Sequence, residues 1–213
     1  MKLLSEGRAS YVYDLGDGRV LRQFKGHGDA AREELVMVHA RSHGFPVPRV
    51  LERRADGLVL ERIDGPTMAQ DLSIGPWRLR QHARTIAGLH EQLHEIRAPE
   101  GLRAIEDGET LLHLDLHPEN VLLSATGPVV IDWSNSLRGT PDLDLAFTWM
   151  ILKTSSASNP FEFAGMRLFA RVFSGFAGAA RIDAGLQRAI EIRLDDPNIY
   201  ARERTRLRRL AER

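Results

Sequence analysis

The chain has 213 residues, 43% of them hydrophobic, which suits one domain or two small lobes better than two average domains. Lys plus Arg and Asp plus Glu number 29 each, and this zero formal net charge disfavours a nucleic-acid-binding protein. The absence of Cys excludes disulfides, thiolate zinc sites and cysteine nucleophiles. No apolar stretch approaches the ~20 residues of a membrane span, and no signal-peptide core follows Met1. The sequence therefore predicts a cytoplasmic protein without a membrane partner, either a monomer or a homodimer.

Residues 1–64 have the pattern of a small antiparallel sheet. Ser10–Phe24 alternate apolar and polar residues around a Gly-Asp-Gly turn, which predicts a hairpin. Two more short strands are predicted on either side of Ala55–Gly57. Between these hairpins, residues 29–44 start at a capping Asp and end at a Gly, which predicts one helix. Its apolar face is expected to hold Ala31, Leu35 and Val38, since their spacing is helical.

From residue 65 to residue 213 the pattern becomes mainly helical. Trp77–Ile96 show apolar residues at helical spacing, and two short strands are predicted near Val121–Leu123 and over Gly127–Trp133. The prediction is an α+β protein with two lobes, a sheet-rich lobe over 1–64 and a helical lobe over 65–213. A small-molecule site is expected in the cleft between the lobes.

The segment HEQLH places His90, Glu91 and His94 in the H-E-x-x-H pattern of zinc hydrolases. In that pattern two histidines one helical turn apart bind zinc, and the Glu acts as a base. The alternative is that both histidines lie on the partly exposed side of an amphipathic helix, and the short motif favours this alternative.

The segment LLHLDLHPENVLL, residues 111–123, places polar side chains between two apolar segments. In an extended backbone His113, Asp115 and His117 share one face, which would suit a metal triad or a buried turn whose polar groups satisfy the backbone. A third interpretation includes Asn120, because H-x-D-x-x-x-x-N is the spacing of a kinase catalytic loop. Phosphoryl transfer then requires a second metal-binding carboxylate soon afterwards, and Asp132 stands at the end of the next apolar strand.

With these residues, Ser5–Trp149 resembles the aminoglycoside phosphotransferase and choline kinase superfamily, whose members are small-molecule kinases with a bilobal, protein-kinase-like fold. The resemblance implies that Asp115 is the catalytic base and that Asn120 and Asp132 hold Mg²⁺. It also implies that Asp144, in GTPDLDLAF, braces the catalytic loop.

The resemblance further implies a nucleotide site in the first lobe. GRASYVYDL, from Gly7, would be the loop over the ATP phosphates, and Glu61 and Ile63 would meet the adenine edge through their backbones. Arg22 stands where the family usually has a phosphate-binding Lys, and Glu33 matches its helix partner. An ordinary surface ion pair between these two residues is the alternative. Lys25 is expected to point to the opposite face of the strand.

The predicted function is ATP- and Mg²⁺-dependent transfer of the γ-phosphoryl group to a hydroxyl of a small molecule. An aminoglycoside, a choline-like compound and a sugar all remain possible acceptors. Glu191, Asp195 and Asp196 could bind an amine-bearing acceptor, or could form a cap and turn. The alternative functions are a non-catalytic nucleotide-binding pseudokinase module and a zinc hydrolase built on HEQLH.

Overall fold

Five antiparallel strands form the sheet of the N-terminal lobe in the computed structural model, which describes residues 1–7, 10–26, 28–155, 159–196, 199 and 201–212. The strands are β1 (Lys2–Glu6), β2 (Ser10–Gly16), β3 (Arg19–Phe24), β4 (Val50–Arg54) and β5 (Gly57–Glu61). Their order across the sheet is β1, β2, β3, β5, β4. The sequence pattern predicted four of them. It missed β1 because all five residues of this edge strand are exposed and no apolar alternation marks it.

Helix α1 (Ala30–Ser42) begins at the predicted cap, where the Asp29 side chain accepts a 2.9 Å hydrogen bond from the Arg32 N–H. The predicted apolar face was wrong, since Leu35 and Val38 are largely exposed. The buried face of the helix includes an acidic residue as well as small and apolar ones: Ala30, Glu33, Val36, Met37 and Ala40. Helical spacing alone could not select this face, because burying Glu33 requires a partner from another element.

The second lobe is mainly helical, as predicted. Its helices are α2 (Met68–Ile74), α3 (Leu79–His94), α4 (Pro141–Thr154), α5 (Pro160–Ala177), α6 (Ala179–Leu194) and α7 (Ala201–Ala211). Two short antiparallel pairs interrupt them: β6 (Thr110–Leu112) with β9 (Leu137–Gly139), and β7 (Val121–Ser124) with β8 (Gly127–Val130). The pair β7–β8 was predicted and the pair β6–β9 was not. None of the described helices is both long and apolar enough to cross a membrane.

One hydrophobic core joins the two lobes. It contains Val36 and Leu58 from the first lobe and Ile86, Val121 and Trp133 from the second. The boundary placed between residues 64 and 65 stays a prediction, and this shared core spans it.

Helices α4 and α6 pack closely at Gly185. A Cβ at this position would lie 2.4 Å from the Asp142 carbonyl oxygen. We predict that Gly185→Ala lowers the free energy of unfolding by about 1–3 kcal/mol, because overpacking outweighs the better helix propensity of Ala. Urea denaturation would measure the change.

Gly175 is the matched control, since it is an exposed position in α5 where an added Cβ meets nothing within 4 Å. Gly175→Ala should be neutral or should stabilise the protein by up to about 1 kcal/mol. Equal effects of the two substitutions would contradict the assigned close contact.

Candidate active site

The segment between β6 and β7 carries the candidate catalytic residues and is held by one buried carboxylate. Asp144, in the first turn of α4, accepts hydrogen bonds from the backbone N–H of Leu114 at 2.7 Å and of His113 at 3.2 Å. Leu114 has a φ of 61°, in the left-handed region that costs a non-Gly residue energy. The two hydrogen bonds offset that cost, and Asp144 therefore braces the loop as the resemblance implied.

Asp115 follows this strained residue and is held by two neighbours. Asn120 Nδ2 donates to the Asp115 carbonyl oxygen at 2.9 Å and to Asp115 Oδ2 at 3.1 Å, and His117 Nε2 lies 3.3 Å from Oδ1. Burial raises the pKa of Asp115, but the contact with His117 and the charges of His113 and Arg193 outweigh burial and lower it below the usual range. The carboxylate is therefore ionised at neutral pH and can accept a hydrogen bond from a hydroxyl group.

Asp132 follows β8 and also has a left-handed backbone, with a φ of 61°. Its Oδ1 accepts hydrogen bonds from Ser134 Oγ at 2.7 Å and from Arg22 at 2.6 Å. The neighbouring Ile131 N–H donates to the Asn120 carbonyl at 3.0 Å, which ties this segment to the loop that carries Asp115. The fold therefore brings Asp115, Asn120 and Asp132 together, although 17 positions separate the first from the last.

Arg22 connects the two lobes through buried ion pairs. Its Nη1 lies 2.6 and 2.5 Å from the two carboxylate oxygens of Glu33, and its Nη2 donates to Asp132. Only 7% of the Arg22 side chain and 2% of the Glu33 side chain are exposed, so the surface ion-pair alternative was wrong. Burial raises the pKa of Glu33, and the charge of Arg22 opposes that rise.

Residues 79–184 match the model of the phosphotransferase enzyme family. This part of the chain, from α3 into α6, belongs to that family. The predicted family and enzyme class, the small-molecule kinases, are therefore confirmed. No curated protein matches the chain in sequence.

Solved structures share the fold of this phosphotransferase over nearly its whole length. Aminoglycoside phosphotransferase APH(4)-Ia is 18% identical with a TM-score of 0.68, and the match covers 99% of this chain and 92% of that one. Ethanolamine kinase from Plasmodium vivax is 12% identical with a TM-score of 0.64, covering 96% and 80%. A thermostable APH(4)-Ia mutant in a ternary complex with ADP and hygromycin B is 19% identical with a TM-score of 0.63, covering 99% and 88%. The bilobal kinase-like fold is thereby confirmed.

In the segment between the lobes of the phosphotransferase, one of the backbone N–H groups considered for adenine binding is already hydrogen-bonded within the protein. The Glu61 N–H donates to the Arg49 carbonyl at 2.9 Å, and Glu61 and Ile63 both line a cavity of about 420 Å³. The Glu61 N–H is thus occupied, and a base would have to use other backbone groups there. The assignment of Glu61 and Ile63 to adenine stays a prediction. In the proposed phosphate loop, Arg8 and Ala9 lie outside the described residues, and Gly7 donates its N–H to the Ser10 carbonyl at 2.9 Å.

Lys25 points away from Arg22, as the strand alternation predicted. Its Nζ lies 2.6 Å from Glu6 Oε1 and 4.4 Å from the centre of the Tyr11 ring, on the outer side of the sheet. Lys25 therefore does not replace Arg22 at the candidate phosphate site.

His90 and His94 support the catalytic loop, and their expected exposure was wrong. His90 is fully buried, and its Nε2 lies 2.9 Å from Thr148 Oγ1, which donates to the Leu116 carbonyl at 2.9 Å. His94 Nε2 lies 3.0 Å from Asp144 Oδ2. Both histidines thus hold the groups that shape the loop. His90 shares the buried stripe of α3 with Ile86 and Leu93, and this spacing is the sequence signal that could have revealed its role.

Both metal interpretations of the histidine motifs lose their support from this geometry. The ligand atoms of His90, His94 and Asp144 lie within 4.8 Å of one another, but Glu91 is exposed and cannot act as a base on water held there. In the second motif, His113 is buried with Nε2 3.1 Å from the Ile131 carbonyl, and its Nδ1 accepts the Asp115 N–H at 3.2 Å. Both nitrogens of His113 are engaged, so the metal triad with Asp115 and His117 is not formed.

Replacing Glu33 tests the buried pair with Arg22. We predict that Glu33→Ala lowers the free energy of unfolding by about 3–5 kcal/mol, because it leaves a buried guanidinium with one partner fewer. The adjacent Glu34 forms a partly exposed pair with Arg53 at 3.0 Å and is the matched control. Glu34→Ala should cost about 1 kcal/mol or less in the same denaturation experiment. A small, equal cost for both variants would show that the ion pair of Arg22 contributes little.

The buried His90 predicts a pH dependence of stability. Burial lowers the pKa of His90 below its usual 6.5, so below about pH 6.5 the unfolded chain binds a proton that the folded chain does not. Stability should therefore fall with falling pH, with a contribution of up to about 1.4 kcal/mol per pH unit from this residue. His90→Gln should show a shallower fall between about pH 7 and about pH 5.5 in urea denaturation.

Thr148→Val provides the control for this pH effect. It removes the hydrogen-bond partner of His90 Nε2 without removing the titrating group. It should lower stability by about 1–3 kcal/mol while keeping the steeper pH dependence. If the stability of His90→Gln and that of the wild type fall equally steeply with falling pH, the burial of a neutral His90 is not the cause of the pH dependence.

Proposed function

We propose that the protein is a kinase that uses Mg²⁺ and ATP to phosphorylate a hydroxyl group of a small molecule. The observation that carries this proposal is the convergence of Asp115, Asn120 and Asp132, with Arg22 ion-paired to Asp132. The family match gives the reaction class, and the fold is shared with a protein solved with ADP. A cytoplasmic location, where ATP and Mg²⁺ are both abundant, is part of the proposal.

Asp115 is proposed to orient and deprotonate the acceptor. The hydroxyl donates its hydrogen bond to the Asp115 carboxylate, and its oxygen forms a bond to the γ-phosphorus as the bond to the β–γ bridging oxygen breaks. The hydroxyl proton passes to Asp115 and then to water, and the products are a phosphate ester and ADP. Asn120 fixes the carboxylate from one side through Nδ2.

The residues proposed to bind Mg²⁺ carry the oxygen ligands that this ion requires. Asn120 uses Nδ2 to bind Asp115, which leaves its amide oxygen as the group for a cation. Within the described residues Asp132 accepts its hydrogen bonds through Oδ1, so Oδ2 is the oxygen proposed to bind the cation. Carboxylate and amide oxygens are hard ligands that suit Mg²⁺. When bound, Mg²⁺ would neutralise the charge of the triphosphate.

Arg22 is proposed to contact the phosphates in place of the usual Lys. Its guanidinium is always charged and offers several N–H groups in a planar fork. It can therefore stay bonded to Glu33 through Nη1 while Nη2 turns to a phosphate oxygen. The presence of a base and of two groups suited to Mg²⁺ favours catalysis over a pseudokinase.

The nucleotide site is tested by melting the protein with Mg²⁺ alone and with Mg·ATP. At a hundred times its dissociation constant, Mg·ATP should add about 2.7 kcal/mol of stability, or about 5–10 °C for a protein of this size. We expect Asp132→Asn to lose the shift and Asp115→Asn to keep it. The exposed Asp107 is the matched control, and Asp107→Asn should behave as the wild type does.

Product formation separates the kinase from the pseudokinase. Asp115→Asn should lower the rate of ADP and phosphate ester formation by about 100-fold or more, since general bases contribute that much. A variant that still turns over at the wild-type rate would exclude Asp115 as the base. Nucleotide binding without product for any acceptor would favour the pseudokinase. In the melting experiment, a shift in melting temperature with zinc but none with Mg·ATP would exclude the nucleotide site.

A further inference from the structure

A second cavity, of about 520 Å³, lies in the helical lobe, and its described lining residues all come from α4, α5, α6 and α7. The candidate catalytic, metal and phosphate residues are not among them. A molecule bound in this cavity therefore occupies a place separate from the proposed reaction centre, and the residues of the cavity have no part in the proposed kinase mechanism.

The described lining of the cavity is strongly basic. Lys153, Arg167, Arg206 and Arg209 line it, and Asp183 is the one acidic residue among the described lining residues. A concave surface with this excess of positive charge attracts anions and repels cations.

Three of these cations lack a carboxylate partner. Within the part of the chain that the structure describes, Arg167, Arg206 and Arg209 form no ion pair with an Asp or Glu. Arg181, at the start of α6, differs, because its Nε lies 2.8 Å from Asp142 Oδ1. Like charges that converge on one cavity repel one another, so an anion bound between the three guanidinium groups would relieve that repulsion.

The guanidinium groups are placed by contacts that leave their charge intact. Arg206 Nη1 donates to the carbonyls of Thr154 and Ser155 at 2.9 and 2.6 Å, and these acceptors are uncharged. The guanidinium groups of Arg167 and Arg206 lie 5.5 and 5.3 Å from the ring centre of Phe163. A planar guanidinium held in this way can offer a fork of N–H groups to a phosphate or a carboxylate.

The rest of the wall is largely apolar. Trp149, Phe163, Leu186 and Leu210 line the cavity and are partly buried. Ligand pockets commonly combine such apolar walls with a few polar groups that fix the orientation of the ligand. Cationic and apolar walls together suit an organic anion better than an inorganic one.

The acidic residues at the end of α6 do not offset the charge of the cavity, since none of them is among its described lining residues. Glu191 is exposed and bonded to Gln187 at 3.0 Å, and Asp196 pairs with Arg193 at 2.9 Å. Asp195 is exposed at the C-cap of α6. The expectation that these acidic residues form a cap and turn fits this arrangement better than an amine-binding site does.

We propose that this cavity is a second ligand site, which binds a small organic anion made of an apolar ring and a phosphate or carboxylate group. The acidic group accepts hydrogen bonds from Arg167, Arg206 and Arg209, and the ring lies against Leu186 and Leu210. The proposal goes beyond the kinase function and does not rest on it.

Four compounds with the same ring and different charge test this site: phenyl phosphate, benzoate, benzyl alcohol and benzylamine. Binding of each is measured by calorimetry with Mg²⁺ and a non-hydrolysable ATP analogue present, so that the nucleotide site is filled. We expect phenyl phosphate or benzoate to bind at least about tenfold more tightly than benzyl alcohol, and benzylamine to bind most weakly. Inorganic phosphate should bind more weakly than phenyl phosphate, because it lacks the ring. The two organic anions separate a phosphate-selective site from a carboxylate-selective one.

Arg209 and Arg208 provide matched variants, because both are exposed on α7 and only Arg209 is among the described lining residues. Arg209→Glu should weaken binding of the preferred anion by about tenfold or more, and Arg208→Glu should change it less than about twofold. Tighter binding of benzylamine, equal effects of the two variants, or no binding of either organic anion would overturn the proposal.

The melting experiment with Mg·ATP keeps this proposal apart from the proposed function. Both Arg variants should retain the Mg·ATP shift of the wild type, which shows that they are folded. Absence of anion binding with a retained Mg·ATP shift would overturn the second site alone. Anion binding without a Mg·ATP shift would leave the second site standing and count against the nucleotide site.

Discussion

The buried carboxylate of Asp144 is the interaction on which the candidate active site depends. A fully buried charge is stable only when its hydrogen bonds are satisfied, and Asp144 receives them from the catalytic loop and from His94 on α3. Because the partners belong to different elements, the carboxylate forces α3, α4 and the loop into one arrangement. That arrangement holds Leu114 in its left-handed conformation and so aims Asp115 away from the core.

Arg22 imposes a similar constraint between the lobes. Its guanidinium reaches Glu33 on α1 and Asp132 in the second lobe at once, so the relative position of the lobes is coupled to the charges of the candidate metal and phosphate site. An Arg can make both contacts through separate nitrogens, whereas the ammonium of a Lys would have to share one nitrogen between them. The departure from the usual Lys is therefore compatible with an assembled site.

In the helical lobe, the loop with the candidate catalytic residues is more constrained than the outer faces of the helices that follow it. The loop that carries Asp115 and Asn120 is fixed by backbone and side-chain hydrogen bonds. By contrast, α5 exposes the apolar Phe161 and Leu168, and α7 is rich in Arg. Charge on these helices still reaches the loop, since Arg193 of α6 helps to lower the pKa of Asp115.

The sequence by itself determined which polar side chains the candidate site holds. The spacing of His113, Asp115 and Asn120, followed by Asp132 at a strand end, predicts a kinase loop because it matches the H-x-D-x-x-x-x-N pattern with a later metal-binding Asp. Local patterns likewise predicted most helices and strands, since periodicity and caps are properties of neighbouring residues.

Tertiary structure alone decided which side chains are buried and what they bind. The buried face of α1, the short pair β6–β9, and the roles of His90 and His94 all depend on partners distant in the chain, such as Arg22 for Glu33 and Asp144 for His94. A buried polar group is stable only beside its partner, and no local pattern in the sequence records where that partner lies.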